Sequence, residues 1–436
     1  MIYTALTSLE VWRRETAYIF KDIPVNPWSE HIALRRYSTQ AVITQRPSWQ
    51  GVRIGEFLDA LVPLYPDDSA SAQVTAIDIA AEAPAGTYSF TTASGEPVEL
   101  TVVDQALPAQ RLFPFYSEVG SEDCRKAYLE IKGLAAYCAD EANHNDQRCW
   151  QPQGPQTLKA IALARQFGIE PVKQSLFLFD NPQADIQDIL DRMNGPYGYK
   201  NIVLTGTIAP PIIWCGSINQ PDRCYDPHPF FLKQINDLAP PGSIAWCADE
   251  PCVEERGNGM DASKALDRVQ YVQKYAPRLI PMITTDKINM LKLQRLAVNL
   301  PILYTIIQND DDPGLISDQK GSYFSCMAQG NCSGTDPIHP RTDFPVAVIE
   351  GDPTCDFEGA IRRAYANRAR FALYYKITKR LSTCWQPGGL YNEGGNGDGT
   401  ALYVDKATGD PIPSIRLLHW HRAQQAVEKE IVARLG

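Results

Sequence analysis

Up to about residue 110 the chain alternates apolar and polar residues in short stretches: QAVITQ (40–45), AQVTAIDIA (72–80), GTYSFTTAS (86–94) and PVELTVVDQ (97–105). Turn formers separate them, among them Pro66-Asp67-Asp68, Pro84-Ala85-Gly86 and Ser94-Gly95-Glu96-Pro97. A period of two between such breaks predicts antiparallel strands with one buried and one solvated face. The stretch from Thr87 to Asp104 reads as a hairpin, and Leu107-Pro108 ends its last strand. Residues 1–110 are therefore expected to form a small antiparallel β-sandwich.

From residue 111 the rhythm changes to strand, loop and helix, repeated. The expected strands are 112–119, 172–179, 201–209, 243–248, 279–285, 302–307, 345–351 and 380–385. Helical patterns lie between them at 124–138, 155–168, 184–195, 261–276, 287–297 and 358–378. Buried-looking strands that alternate with helices predict a parallel sheet, and eight is the number that closes a barrel. An open doubly wound sheet is the alternative, but no Gly-rich phosphate loop follows the first strand. The fold expected is thus α/β, with a (β/α)8 TIM-like barrel over 111–436 behind the sandwich of 1–110. The loops 139–154, 210–229, 308–344 and 386–399 are long and polar. In a barrel such loops gather where substrates bind.

Charge narrows the choice of partner. Among 436 residues, 41 basic and 51 acidic side chains leave a formal charge of −10, without Lys/Arg clusters. That balance argues against nucleic acid or an anionic membrane surface as the main partner. No apolar run approaches the ~18 residues of a membrane-spanning helix, so no membrane insertion is expected. The start, MIYTALTSLEVWRRETAYIF, lacks the order of a secretory signal. Several of the eleven cysteines fall in local pairs: Cys138/Cys149, Cys215/Cys224, Cys247/Cys252 and Cys326/Cys332. Their spacing does not suit zinc, which leaves local disulfides in an extracellular or virion-exposed setting, or scattered buried thiols. The six histidines form no ligand set, since His419 and His421 flank Trp420 on a helix. Neither a metal nor an organic cofactor is expected.

The candidate chemistry sits at the end of the fourth expected strand, GSIAWCADEP (242–251). Asp249 and Glu250 end an apolar run, and Pro251 stops further pairing. Like charge and a low-dielectric rim would raise one carboxyl above its neighbour. Such a pair is what glycosidic cleavage uses.

Three segments resemble glycoside hydrolase family 123 and the glycoside-hydrolase-like proteins around it. These are the strand ending Asp249-Glu250-Pro251, the closing GLYNEGGNGDGTALYV (389–404) with GDPIPSIRLLHWHRA (409–423), and the hairpin AGTYSFTTASGEPVELTVVDQALPA (85–109). The family's acidic, tyrosine-rich stretch after the Arg-Leu helix is replaced here by AQQAVEKEIV (423–432). The resemblance implies a hydrolase of β-linked N-acetylhexosaminides, N-acetylgalactosamine in characterised members. Catalysis would be substrate-assisted, with the sugar's acetamido oxygen attacking the anomeric carbon. Asp249 would orient the acetamide, and Glu250 would serve as general acid and then base. A carbohydrate is the partner implied.

Position alone adds Tyr116 and Glu118 at the end of strand one, Trp214 after strand three and Asp286 after strand five. It also adds Trp385 as the end of strand eight, with Tyr391 and Asn392 beyond it. Aromatic rings there would stack on a sugar, while carboxylates and amides would bond its hydroxyls; packing under the last loop is the competing role for Trp385 and Tyr391. Arg416 is expected to tie its helix to the barrel by charge-assisted bonds. A second reading keeps the barrel without the chemistry, as a carbohydrate-binding or structural component of a virion or tail. A homo-oligomer or larger assembly is left open.

Overall fold

The computed structural model describes residues 8–24, 30–44, 55–143, 145–172, 203–205, 229–238, 243–249, 262–285, 293, 295, 303–306, 322–323, 361–362, 365, 372–392, 395–396 and 400–435. The first seven strands are β1 (Ser8–Arg13), β2 (Thr16–Ile19), β3 (Ile32–Thr44), β4 (Gly55–Leu64), β5 (Val74–Ile79), β6 (Gly86–Thr91) and β7 (Pro97–Ala106). They form two sheets, β1-β7-β6 and β2-β5-β3-β4. Alternation decides which side chains go inside. Val98, Leu100 and Val102 of β7 are buried while Glu99 is exposed, and they share a core with Val11, Ile19, Ile77, Ile79 and Phe90. The expected hairpin is present as antiparallel β6–β7. One pairing departs from the antiparallel expectation, because β1 runs parallel to β7 from Ser8↔Glu99 to Val11↔Val102. The reason is a change of sheet directly after β1. Arg14 takes φ 62, Glu15 N–H donates to the Trp12 carbonyl, and the chain enters β2 in the other sheet.

The second sheet system is parallel. It consists of β8 (Phe115–Glu118), β9 (Ile169–Val172), β10 (Val203–Thr205), β11 (Ile244–Asp249), β12 (Ile280–Thr285), β13 (Leu303–Ile306), β14 (Ser322–Tyr323) and β15 (Ala372–Lys376). The order is β10-β11-β12-β13-β14-β15-β8-β9, so the first of these strands lies beside the last, and every pairing is parallel. A closed cylinder would also join β9 to β10. That seam is not among the described pairings, so the sheet as described is open.

Several boundaries need correction. The eighth strand is Ala372–Lys376, inside the expected helix 358–378, and RLSTCW contains a tight turn, Leu381–Thr383. Alanine before Leu-Tyr-Tyr suits a helix as well as a strand, and parallel pairing to β8 decides the matter. In RLSTCW the Thr383 hydroxyl donates to the Arg380 and Gly389 carbonyls, which favours a turn over a ladder. The seventh strand is the short Ser322–Tyr323, whereas 345–351 lies outside the described residues. The second starts at Ile169, just after Gly168 (φ 74) ends the helix Gln153–Gln166.

The local pair Cys138/Cys149 is a disulfide. Cys247 is instead a free buried thiol within β11, which corrects the Cys247/Cys252 pairing; burial pushes that thiol up to about 12. A strand ladder fixes Cys247 where no loop partner is needed. Cys124 and Cys384 are also free and buried, and Cys215, Cys224, Cys252, Cys326 and Cys332 lie outside the described residues. Among the described residues no helix is long and apolar enough to cross a membrane.

What joins the two sheet systems is the last helix, Ile415–Leu435, which is buried on most sides. Its apolar residues Leu417, Leu418 and Trp420 enter the main core, where Trp420 meets Phe115 of β8 edge to face at 5.4 Å. Its polar residues make specific bonds. Gln425 Oε1 accepts from the Thr16 N–H and its amide donates to the Thr16 carbonyl. Glu428 Oε1 accepts from the backbone N–H groups of Leu112 and Phe113, just ahead of β8. His421 bonds Tyr18 at 2.6 Å and Arg111 at 3.2 Å. Arg416 donates to Asp59 of β4 at 2.8 Å, and Tyr403 donates to the same carboxylate at 2.6 Å. Arg416 thus ties its helix to the N-terminal sheet, and at 3.3 Å also to Tyr403 of the region expected to form the barrel.

Two outcomes follow from this joint. Asp59 carries both the buried ion pair with Arg416 and the bond from Tyr403, so Asp59→Ala should lower unfolding stability by about 3–5 kcal/mol in denaturant titration. Burial holds the His421 imidazole well below its usual value, so it is neutral in the fold. Its contribution is present above pH ~6.5 and is lost as pH falls. The unfolding midpoint should therefore drop on acidification below that pH, and drop less steeply in His421→Gln.

Candidate functional site

Because the eight strands run in one direction, their final residues share one edge: Glu118, Val172, Thr205, Asp249, Thr285, Ile306, Tyr323 and Lys376. In parallel α/β sheets this carboxyl edge carries the site. Asp249 is the last residue of β11, in register with Thr284 of β12. Glu250, Trp214 and Asp286 lie outside the described residues. Tyr391 and Asn392 form a two-residue strand, β16, paired with β17 (Gly395–Asn396). Trp385 does not end a strand. It follows the Leu381–Thr383 turn, donates its indole N–H to the Val404 carbonyl at 2.7 Å, and lies against Tyr403 with Lys406 over its ring. Packing therefore occupies Trp385.

Two of the sequence-derived residues come together on β8. Phe115 faces the last helix, so alternation puts Tyr116 and Glu118 on the opposite face of the sheet. Tyr116 is buried, and the Glu118 side chain is 13% exposed. Lys376, the last residue of β15, pairs across the ladder with Glu118. Its ammonium lies 2.7 Å from Asp123 and 3.6 Å from Glu118. Asp123 belongs to the first turn of the helix Ser121–Ile131, where an acid suits the helix dipole. The Thr378 hydroxyl completes the set, donating to Asp123 at 3.2 Å and accepting from the Gly120 N–H at 2.8 Å. A Cβ at Gly120 would lie 2.1 Å from Asp123 Oδ2 and 2.6 Å from Lys376 Cε, so a side chain there would displace both groups.

The electrostatics favour proton exchange. Burial lifts the Glu118 carboxyl to about 7, against the downward pull of Lys376 and with a further push from Asp123. Burial also raises Asp123, opposed by Lys376. A carboxyl poised near neutrality, at a strand end, has the properties of a general acid or base. The buried Cys124 thiol, next to Asp123 in the chain, is raised by burial and is no nucleophile. Among the described residues no group of His, Cys, Asp and Glu could hold a metal ion.

Sequence reading placed Glu118 correctly at a strand end but missed Asp123, Lys376 and Thr378. The available signal was Lys376-Ile377-Thr378, a strand end inside a stretch taken for helix. Glu118 has a stability consequence of definite sign. Its carboxyl is raised in the fold, so its contribution is full at low pH and is lost as pH climbs from 4.5 to about 7, by about 3 kcal/mol. Glu118→Gln should remove that loss, and thermal unfolding of both proteins at pH 5 and pH 8.5 checks it.

No family model matches the chain, and no curated protein does. Solved structures similar to it include an endo-β1,6-glucanase, with a TM-score of 0.38 and 10% identity over 73% of this chain and 78% of that one. A family 39 glycoside hydrolase from the gut symbiont Bacteroides cellulosilyticus is similar at 0.33 and 9% identity, over 97% and 81%. A xylanase from Cellvibrio japonicus is similar at 0.34 and 11% identity, over 94% and 90%.

Proposed function

We propose that the chain is a glycoside hydrolase that cleaves β-linked N-acetylhexosaminides, of the N-acetylgalactosamine type, by substrate-assisted catalysis. The observation that carries this reading is the place of Asp249. It ends a strand at the carboxyl edge of an all-parallel sheet, with Glu250 next in sequence and Glu118 on the same edge. In this reading the sheet closes into a barrel between β9 and β10, the barrel spans 111–436, and the sandwich of 1–110 is a separate domain.

The steps follow from what two neighbouring carboxyls can do. The acetamido oxygen of the bound sugar attacks the anomeric carbon as Glu250 gives its proton to the leaving oxygen. The Asp249 carboxylate orients the acetamide N–H and stabilises the charge that develops on the oxazolinium ring. Glu250, now ionised, takes a proton from water, which opens the ring with net retention. Neither a metal nor an organic cofactor enters the scheme. Glu118, Tyr116, Tyr391 and Asn392 would contact the sugar, together with Trp214, Asp286 and the part of Trp385 left uncovered.

The reading makes a direct kinetic prediction. Release of p-nitrophenol from the aryl β-N-acetylgalactosaminide or β-N-acetylglucosaminide should fall about 10²–10⁴-fold in Glu250→Gln, with a comparable loss in Asp249→Asn. Equal rates in wild type and Glu250→Gln on both glycosides would refute hydrolysis. Sugar binding without turnover would instead favour a carbohydrate-binding component.

A further inference from the structure

At the end of β8 two carboxyls compete for one ammonium. Lys376 is within hydrogen-bond distance of Asp123, at 2.7 Å, and beyond it from Glu118, at 3.6 Å. Asp123 is further engaged by the Thr378 hydroxyl, and Gly120 leaves no side chain to push the lysine away. Thr378 is fully buried, and the backbones of Asp123 and Lys376 are held by a helix and by the strand ladder. Glu118 is left as a mostly buried carboxyl on the face of β8 turned away from the last helix. Among the described residues, the charged groups facing it are Lys376 and Lys379 from the last parallel strand and its continuation, and Asp123 from the following helix. Ionising Glu118 puts a second negative charge into a mostly buried cluster whose nearer ammonium is already bonded to Asp123. Keeping its proton leaves an O–H donor that needs an acceptor.

We propose that Glu118 meets the bound sugar as a neutral acid, donating its carboxyl hydrogen to a hydroxyl or amide oxygen of the ligand, so that capture depends on that proton. The proposal rests on the glycosidase reading for the class of ligand. Asp123 and Lys376 are positioning residues: their mutual bond holds the ammonium nearer to Asp123 than to Glu118, so Glu118 is only partly compensated. Burial of Glu118, which lifts its carboxyl to about 7, places the change within an accessible pH range.

The test measures binding of N-acetylgalactosamine and N-acetylglucosamine to the full chain by calorimetry between pH 5.5 and 9. Wild type, Glu118→Gln and Lys376→Met are compared. In wild type the dissociation constant should be flat below pH 7 and then rise about tenfold per pH unit, as the competent fraction falls. Glu118→Gln keeps a donor that cannot ionise, so its affinity should hold across the range. Lys376→Met should move the break to higher pH. Wild-type affinity that does not change with pH, or a break that survives in Glu118→Gln, would overturn the role given to Glu118 while leaving the ligand class standing. Absence of binding by either sugar at every pH, in all three proteins with native unfolding midpoints, would overturn both.

Discussion

A helix buried on most of its sides has to satisfy its polar side chains without water, and that requirement organises this molecule. On Ile415–Leu435 the buried residues include Arg416, His419, His421, Gln424, Gln425 and Glu428 besides the apolar ones. An unmet buried polar group costs as much as several methylenes earn by burial, so each bond selects one register of the helix against its neighbours. Gln425 reads the backbone of β2, Glu428 and Gln424 read the backbone ahead of β8, and Arg416 reads Asp59 on β4. Shifting the helix by one residue would break all of these together. Some groups remain without a hydrogen bond among the described residues, such as Glu428 Oε2 and Gln424 Oε1. The apolar contacts of Trp420, Leu417 and Leu418 offset that loss.

Fixing β8 in this way matters for the chemistry, because the strand is short. Phe115 is anchored from one side by Trp420, and Phe113 just before it is held by Gln424 and Glu428. Only a few residues later comes Glu118. A carboxyl so close to a rigid anchor loses little entropy in taking one orientation, which is the kind of preorganisation that a binding or catalytic group needs. The neighbouring strand β15 supplies Lys376 through the ladder, and the helix after β8 supplies Asp123. Two adjacent strands of the parallel sheet and the helix that follows β8 thus converge on one cluster.

Strand alternation was legible wherever one face of a strand is wet, as in β6 and β7, where turn formers set off a period of two. The parallel strands were legible as short apolar runs, and β8, β10, β11, β12 and β13 lie within or at the edges of the stretches read as strands. The failures share a cause. Ala372–Lys376 follows Arg-Ala-Arg-Phe, and nothing local separates a buried strand from a helix there; the answer depends on Phe115, more than 250 residues earlier in the chain. For the same reason Lys376 and Thr378 were invisible as partners of Asp123. Glu118 was found because a strand end is a local feature, but its shared ammonium is not. The Arg416–Asp59 bond was half legible: charge and helix position announced a tie, while its target lies in another sheet. Gly168 could have been read better. A glycine after ALARQF is the usual left-handed stop, and this one also admits Gln424, whose Oε1 would lie 2.1 Å from any Cβ there.

The bond between Thr16 and Gln425 spans 409 positions of the chain. During synthesis the four-stranded sheet therefore leaves the ribosome long before the helix that covers one of its faces exists. Until then Val42, Leu61 and Val74 have no lid, and the edge at Thr16 offers its amide and carbonyl to whatever is near. Such a half-covered sheet is a sticky intermediate, so its waiting time, set by translation, becomes a hazard that a circularly permuted chain with the helix placed first would escape.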